Sequence, residues 1–367
     1  MLIKQLKKTY KPGLLCLLLS LLCSTLTYTA VAQSTLTNGI FAVAGTPYKY
    51  GDEVKGIATL KDSNNFFVAY KDTNGVWMGK NSLTHSAPHR ININSATDLT
   101  GIAASGSDEW PFLYAAGANY NQIPDYFLTT TKEQKIVWAK ISDKKFWYYK
   151  NPKAIAVDPN GTLLATIADD NILYIYNGLN AWTFVDKIKG FMPNTLAVYV
   201  SPETANRKKS NFAPRYAYIT VADSTSTGQS IMRSWKINID TLEIVPPNPQ
   251  VPEKESWDWS LASLHGTPVP VGVCYNYRNG TVFVADEYNK CLWASKSPLG
   301  GGDGSQIIQV ESLDTMVEKK ISTYGMLAYY DNNYKTGPSG SLLMKASLQS
   351  GVKDALVALD YTLPSKI

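Results

Sequence analysis

Histidine is almost missing from this chain: three residues, His85, His89 and His265, in 367. A site built on clustered imidazoles, such as a zinc hydrolase or a histidine proton relay, is hard to assemble from so few. Cysteine is as scarce, with four, and Cys16 and Cys23 fall within the first 32 residues. No Gly-x-Ser-x-Gly element stands in a strand-to-helix setting, so the usual serine-hydrolase signature is lacking. The run Gly300-Gly301-Gly302-Asp303-Gly304 is not followed by the Lys-Ser/Thr of a phosphate-cradling loop and reads as a flexible connection between strands. Charge of one sign is concentrated nowhere after the N-terminus beyond the short Arg207-Lys208-Lys209. Phosphate backbones need many clustered cations, so nucleic acid is not an expected partner.

Long apolar runs are lacking too. Residues Leu14 to Cys23 form the main one, behind Lys4, Lys7, Lys8 and Lys11. Ten residues rise about 15 Å as a helix, half of a hydrocarbon core about 30 Å thick. The run is therefore too short for an anchor, and with Ala30-Val31-Ala32 after it the segment 1–32 reads as a cleavable export signal. The expected location is secreted or periplasmic, with no membrane span in the mature chain, 33–367. Removing four of the 35 basic residues leaves 31 against 30 acids, a net charge of +1.

What is present is a repeat. A small residue, an aliphatic residue and usually a second small residue recur at Gly56-Ile57-Ala58, Gly101-Ile102-Ala103, Ala154-Ile155-Ala156, Thr195-Leu196-Ala197, Gly272-Val273-Cys274 and Gly325-Met326-Leu327, spaced 41 to 77 residues apart. Pro152, Pro193 and Pro270 each stand two residues before a copy, where a rigid turn can deliver the chain into a strand. Repeats of this length point to a solenoid, propeller or array. The clearest unit runs from Ala154 through Pro159-Asn160-Gly161, Thr162 to Ile167, Asn171, Ile172 to Tyr176 and Trp182 to Val185. It reads as strand, tight turn, strand, turn, strand, loop, strand, because Asn-Gly suits a hairpin and Ile, Val, Thr and Tyr suit pleated surfaces. A second unit, Gly272 through Asn279-Gly280 to Ala294, repeats the same order.

Helical periodicity never persists beyond two turns, so the mature chain is expected to be all-β: a single β-propeller of about six four-stranded blades. Innermost strands are expected near 54–60, 100–104, 154–158, 194–200, 272–276 and 324–330. The ring is expected to close by pairing Gly39 to Ala44 with Ala355 to Asp360. A pair of β-sandwiches is the competing architecture.

The two clear units, Pro152-Lys-Ala-Ile-Ala-Val-Asp158-Pro-Asn-Gly161 and Pro270 to Leu292 with Val284-Ala285-Asp286 and Asn289 within it, resemble NHL repeats. That resemblance implies the propeller architecture, and the wider superfamily holds scaffolds, peptide binders, lactonases and lyases. Propellers similar to gluconolactonase hold a divalent cation in the central channel with a Glu, Asn and Asp set, and Glu53 is the acid here placed most like that Glu. Calcium or another divalent cation is implied only on that hydrolase or lactonase alternative. No cofactor is otherwise expected, and no catalytic residue stands out.

The favoured expectation is a monomeric recognition protein binding a peptide, protein or glycan on a propeller face. Asn238 to Thr267 reads as an insertion between blades four and five, carrying Val245-Pro246-Pro247-Asn248-Pro249, Trp257-Asp258-Trp259 and His265. Trp257, Trp259 and His265 are the candidate ligand-binding residues, since an exposed aromatic beside a carboxylate suits stacking or anchoring. The alternative is that the two tryptophans tuck the segment onto the propeller. Phe146 to Tyr149 reads as an outer strand, and His85 and His89 as loop residues because Ala87-Pro88 opposes a helix. Asp223 and Asp286 are expected to cap turns. Cys274 and Cys291 fall on the first and third strands of one blade, about 9.6 Å apart, beyond the roughly 7 Å reach of a disulfide, and are expected to be free buried thiols.

Overall fold

A computed structural model describes residues 40–43, 48–49, 53–61, 65–72, 75–82, 89–92, 99–106, 111–117, 125–130, 136–140, 152–168, 171–177, 183–189, 195–201, 214–224, 229–252, 254–261, 267–305, 307–309, 321–330, 339–349, 351 and 354–362. All fall in the compact unit Gly39–Ile367. They form six antiparallel sheets of four or five strands, and no helix among them is long and apolar enough to cross a membrane.

Each sheet starts at an innermost strand and steps outward. The innermost strands are Glu53–Thr59, Leu99–Gly106, Pro152–Val157, Thr195–Val200, Pro270–Tyr275 and Ile321–Tyr330, and they define blades one to six. Blade three continues through Leu163–Ala168, Ile172–Asn177 and Thr183–Lys189, and blade five through Val282–Asp286, Cys291–Ser295 and Ile308–Gln309. In blade six, Ser339–Leu348 and Ala355–Thr362 follow, and Ile40–Val43 then pairs antiparallel with Ala355–Thr362, Val43 opposite Leu359 and Ile40 opposite Thr362. Each innermost strand neighbours the next, and that of blade six neighbours that of blade one. The Gly161 and Gly280 turns adopt φ of +68° and +77°, the left-handed conformation their Asn-Gly pairs favour.

Close approach explains the small-aliphatic-small repeat. A Cβ on Gly56 would lie 2.8 Å from the Ile102 backbone nitrogen, and one on Gly272 only 2.4 Å from the Gly325 carbonyl oxygen. Innermost strands converge toward the axis, and at Gly56 and Gly272 only a residue without a side chain lets two backbones pass, whereas Gly101 has room for a methyl and blades three and four carry Ala154 and Thr195. Just before this position the pairing slips by a bulge in blades one, two, three and five, between Val54/Gly56, Leu99/Gly101, Pro152/Ala154 and Pro270/Gly272.

The core is a set of apolar layers between adjacent blades. Phe283, Ala285 and Leu292 pack against Leu342, Met344 and Val357 of blade six, while the alternate residues Val282, Val284 and Trp293 pack against Met232 and Trp259 on blade four. Both faces of a middle strand are thus covered, which is why Val282–Asp286 is apolar nearly throughout.

Asn238 to Thr267 is not one free insertion. Glu243–Val245 pairs with Lys236 to Asn238, and Trp257–Asp258 pairs with Arg233 and Ser234 of the same strand. Two short pieces share the outer edge of blade four, and residues 246–256 are the loop between them. The glycine run differs from the expected flexible connection: Gly300–Asp303 is a 3₁₀ turn with Gly300 and Gly301 buried. His89 begins the outer strand of blade one, His89–Asn92, and is not in a loop. His85, His265 and Phe146 to Tyr149 lie outside the described residues. Cys274 and Cys291 are both buried and form no disulfide, and burial pushes the Cys274 thiol well above its ordinary range.

Candidate functional site

The innermost strands are sheet edges, so their small residues surround an axial channel of about 260 Å³. All six blades contribute, through residues such as Ala58, Ala103, Ala156, Ala197, Val273 and Leu327. Among the described lining residues there is no Asp, Glu or His, and Lys153 is the one charged side chain. Tyr275, Tyr277 and Tyr329 make the wall aromatic on blades five and six, with Tyr275 stacked on Tyr199 at 5.4 Å and Tyr277 edge-on to Tyr329 at 5.3 Å.

The two ends of the channel differ. At the proximal face, where the innermost strands start, Glu53 opens blade one with its side chain 47% exposed and its carboxylate 2.7 Å from Lys55 Nζ. No group of three or more His, Cys, Asp or Glu among the described residues is placed to hold a metal. Also at this face, the Asp286 side chain is fully buried and accepts from the backbone N–H groups of Val269 (2.9 Å), Tyr288 (3.0 Å) and Asn289 (3.2 Å) and from Asn289 Nδ2 (2.7 Å). It caps a turn, as does the buried Asp158 at the distal face, which accepts from Leu163 N (2.6 Å) and Asn160 N (3.0 Å). Burial pushes the Asp158 carboxyl up to about 6 against the pull of those hydrogen bonds.

Trp257 and Trp259 lie between blades four and five. Trp259 is 6% exposed, with Nε1 donating to Ser234 Oγ at 2.9 Å, and a Cβ on Gly300 would sit 1.7 Å from its ring. A hydroxyl chain continues inward from Ser234 to Thr220 (2.7 Å), Tyr275 (2.6 Å) and the Pro298 carbonyl (2.7 Å). Since Tyr275 donates its proton to Pro298, it accepts from Thr220, which in turn accepts from Ser234. Trp259 thus has no open face for a ligand, and its ring ties the outer edge of blade four to a residue of the channel wall. Trp257 is half-buried, its backbone packed against Gly302.

Sequence reasoning passed over Tyr288. It is 64% exposed, at the tip of the turn Asp286 holds, with Val269 beside it at 38%. The available signal was a bulky aromatic flanked by turn-forming Asp and Asn inside the blade-five unit.

Six sheets stepping outward from a shared axial channel make this chain a β-propeller. The NHL repeat family matches residues 267–294, which hold the first three strands of blade five. The chain is similar in structure to the WD40 domain of coronin from Toxoplasma gondii, with a TM-score of 0.50 at 10% sequence identity over 90% of this chain and 88% of that one. It is also similar to the β-propeller domain of Cps50 (Swd1) from Myceliophteria thermophila, with a TM-score of 0.48 at 9% identity over 85% and 84%. Hydrazine synthase from Kuenenia stuttgartiensis is a further match, with a TM-score of 0.49 at 11% identity over 83% and 82%. At 10% identity the likeness to the coronin domain speaks for the fold alone. No curated protein matches the sequence.

Proposed function

We propose that the chain is an exported recognition protein that binds a peptide, protein or glycan on the proximal face of the propeller and carries out no chemistry of its own. The observation that supports this reading is the channel lining: small and apolar side chains from all six blades beside a wall of Tyr275, Tyr277 and Tyr329, a surface suited to packing against a ligand. Buried carboxylates such as Asp158 and Asp286 are turned into their own turns. Export is supported by the basic start, the short apolar run and Ala30-Val31-Ala32. N-terminal sequencing of the protein from the extracytoplasmic fraction should begin at Gln33. Peptide and glycan arrays probed with the mature chain should give specific binders. Thermal stabilisation by calcium that Glu53→Ala abolishes, with no binder on either array, would replace this reading with the hydrolase one.

A further inference from the structure

We propose that the turn Asp286 to Lys290 anchors a polypeptide partner, with Tyr288 packing against an apolar, uncharged stretch of that partner and Val269 adding to the contact. The proposal rests on the recognition reading above and narrows it to one ligand class.

Tyr288 and Val269 are two of the three exposed large apolar side chains among the described residues, the other being Val251 on the loop of blade four. Their backbones adjoin, since the Glu287 N–H donates to the Val269 carbonyl at 2.9 Å. Both belong to the proximal face, and Val271, two residues along, lines the channel.

The backbone under Tyr288 is fixed before any partner arrives. Asp286 holds it from below through the backbone N–H groups of Tyr288 and Asn289. From the side, blade six holds it: the Tyr324 backbone N–H donates to Glu287 Oε2, and the Tyr324 hydroxyl donates to the Lys290 carbonyl at 2.8 Å. An aromatic on such a frame gives up little more than its own side-chain rotations on binding, which is the economy that makes tyrosine a frequent interface anchor.

The polar groups around it are already used. Asn289 Nδ2 is given to Asp286, and both Glu287 oxygens are taken, one by the Lys290 ammonium and one by Tyr324 N. A glycan site works through several convergent donors and acceptors, and this turn keeps few to offer. What remains is apolar area, and that suits an uncharged hydrophobic stretch of polypeptide. The ion pair of Glu287 with Lys290 cancels charge within the turn, so the contact asks for no charged partner.

The test uses a displayed library of random linear peptides and a glycan array, probed with the mature chain. Peptides selected by the wild type should be rich in apolar, uncharged residues. Tyr288→Ala should weaken their binding about tenfold or more, as loss of an anchor does, whereas Tyr288→Phe, which keeps the ring, should hold it within about threefold. Affinity should change little between about 0.1 M and about 1 M salt. Both variants should stay close to the wild-type melting temperature, because the side chain is 64% exposed. Selected peptides that bind Tyr288→Ala as well as wild type would overturn the inference and leave the recognition reading standing. Glycan binders with no peptide binder would do the same, and an absence of binders on both would end both.

Discussion

The backbone N–H of Val54 donates to Asp354 Oδ2 at 3.1 Å, a bond between residues 300 positions apart that joins the first blade to the last. Lys345 secures the same point: its ammonium lies 3.2 Å from Asp354 Oδ2 and donates to the Val54 carbonyl at 2.9 Å. Removing the carboxylate leaves the Val54 N–H without its acceptor and a partly buried ammonium with only the Val54 carbonyl. Asp354→Ala should therefore cost about 1–3 kcal/mol of unfolding free energy, read from the midpoint of a urea transition. A midpoint equal to wild type would show that this seam adds nothing to stability.

Convergence of the innermost strands makes a paired prediction. Gly272→Ala places its methyl 2.4 Å from the Gly325 carbonyl oxygen, where backbone must move, whereas Gly101→Ala meets nothing closer than 3.8 Å. The first should destabilise by about 1–3 kcal/mol or more, the second by no more than about 0.5 kcal/mol. Equal losses would mean that close approach is not the reason for glycine in the repeat.

A second glycine pair tests the packing of Trp259. Gly300 and Gly304 both adopt positive φ, +61° and +83°, but only Gly300 lies against the indole, and a Cβ on Gly304 meets nothing within 4 Å. Gly304→Ala should carry only the left-handed penalty, about 1–2 kcal/mol. Gly300→Ala should cost clearly more and shift the tryptophan fluorescence of the folded protein. A larger loss at Gly304 would contradict the packing described here.

Asp158 gives a pH dependence whose direction is fixed. Its carboxyl is raised from 3.8 to about 6, so the folded state holds the proton more tightly than the unfolded chain does. The contribution to stability is fully present below about pH 4 and is lost as pH rises through about 6. Asp158→Asn is neutral throughout. Whatever constant offset the amide introduces, the variant should gain about 3 kcal/mol on wild type between about pH 4 and about pH 8. Parallel stability curves across that range would show that the group titrates at its ordinary value.

Much of the architecture could be read before any coordinates, for a physical reason. Innermost strands carry a steric demand at one position, and Asn-Gly turns carry a dihedral demand, so both leave marks at fixed places such as Gly272 and Gly280. Outer edges carry neither. The split edge of blade four, shared by Glu243–Val245 and Trp257–Asp258, left no pattern that separates it from a loop, and its prolines concealed it further. The tryptophans were conspicuous by type, yet the ring of Trp259 is spent on Ser234 and Gly300. Tyr288, one of 23 tyrosines, was concealed by being common. Exposure is a tertiary property, and residue type alone carries little of it.

Because the strands Ile40–Val43 and Tyr48–Lys49 both lie along Ala355–Thr362, the final sheet draws its outer edge from the earliest described part of the chain. A growing polypeptide cannot finish that sheet until its last strand is available. The leading segment must stay unpaired while five blades take shape behind it, and the molecule latches shut only once Ala355–Thr362 has emerged. Early termination would thus leave two open edges, one at the seam and one at the start, and both would be prone to capture a neighbour.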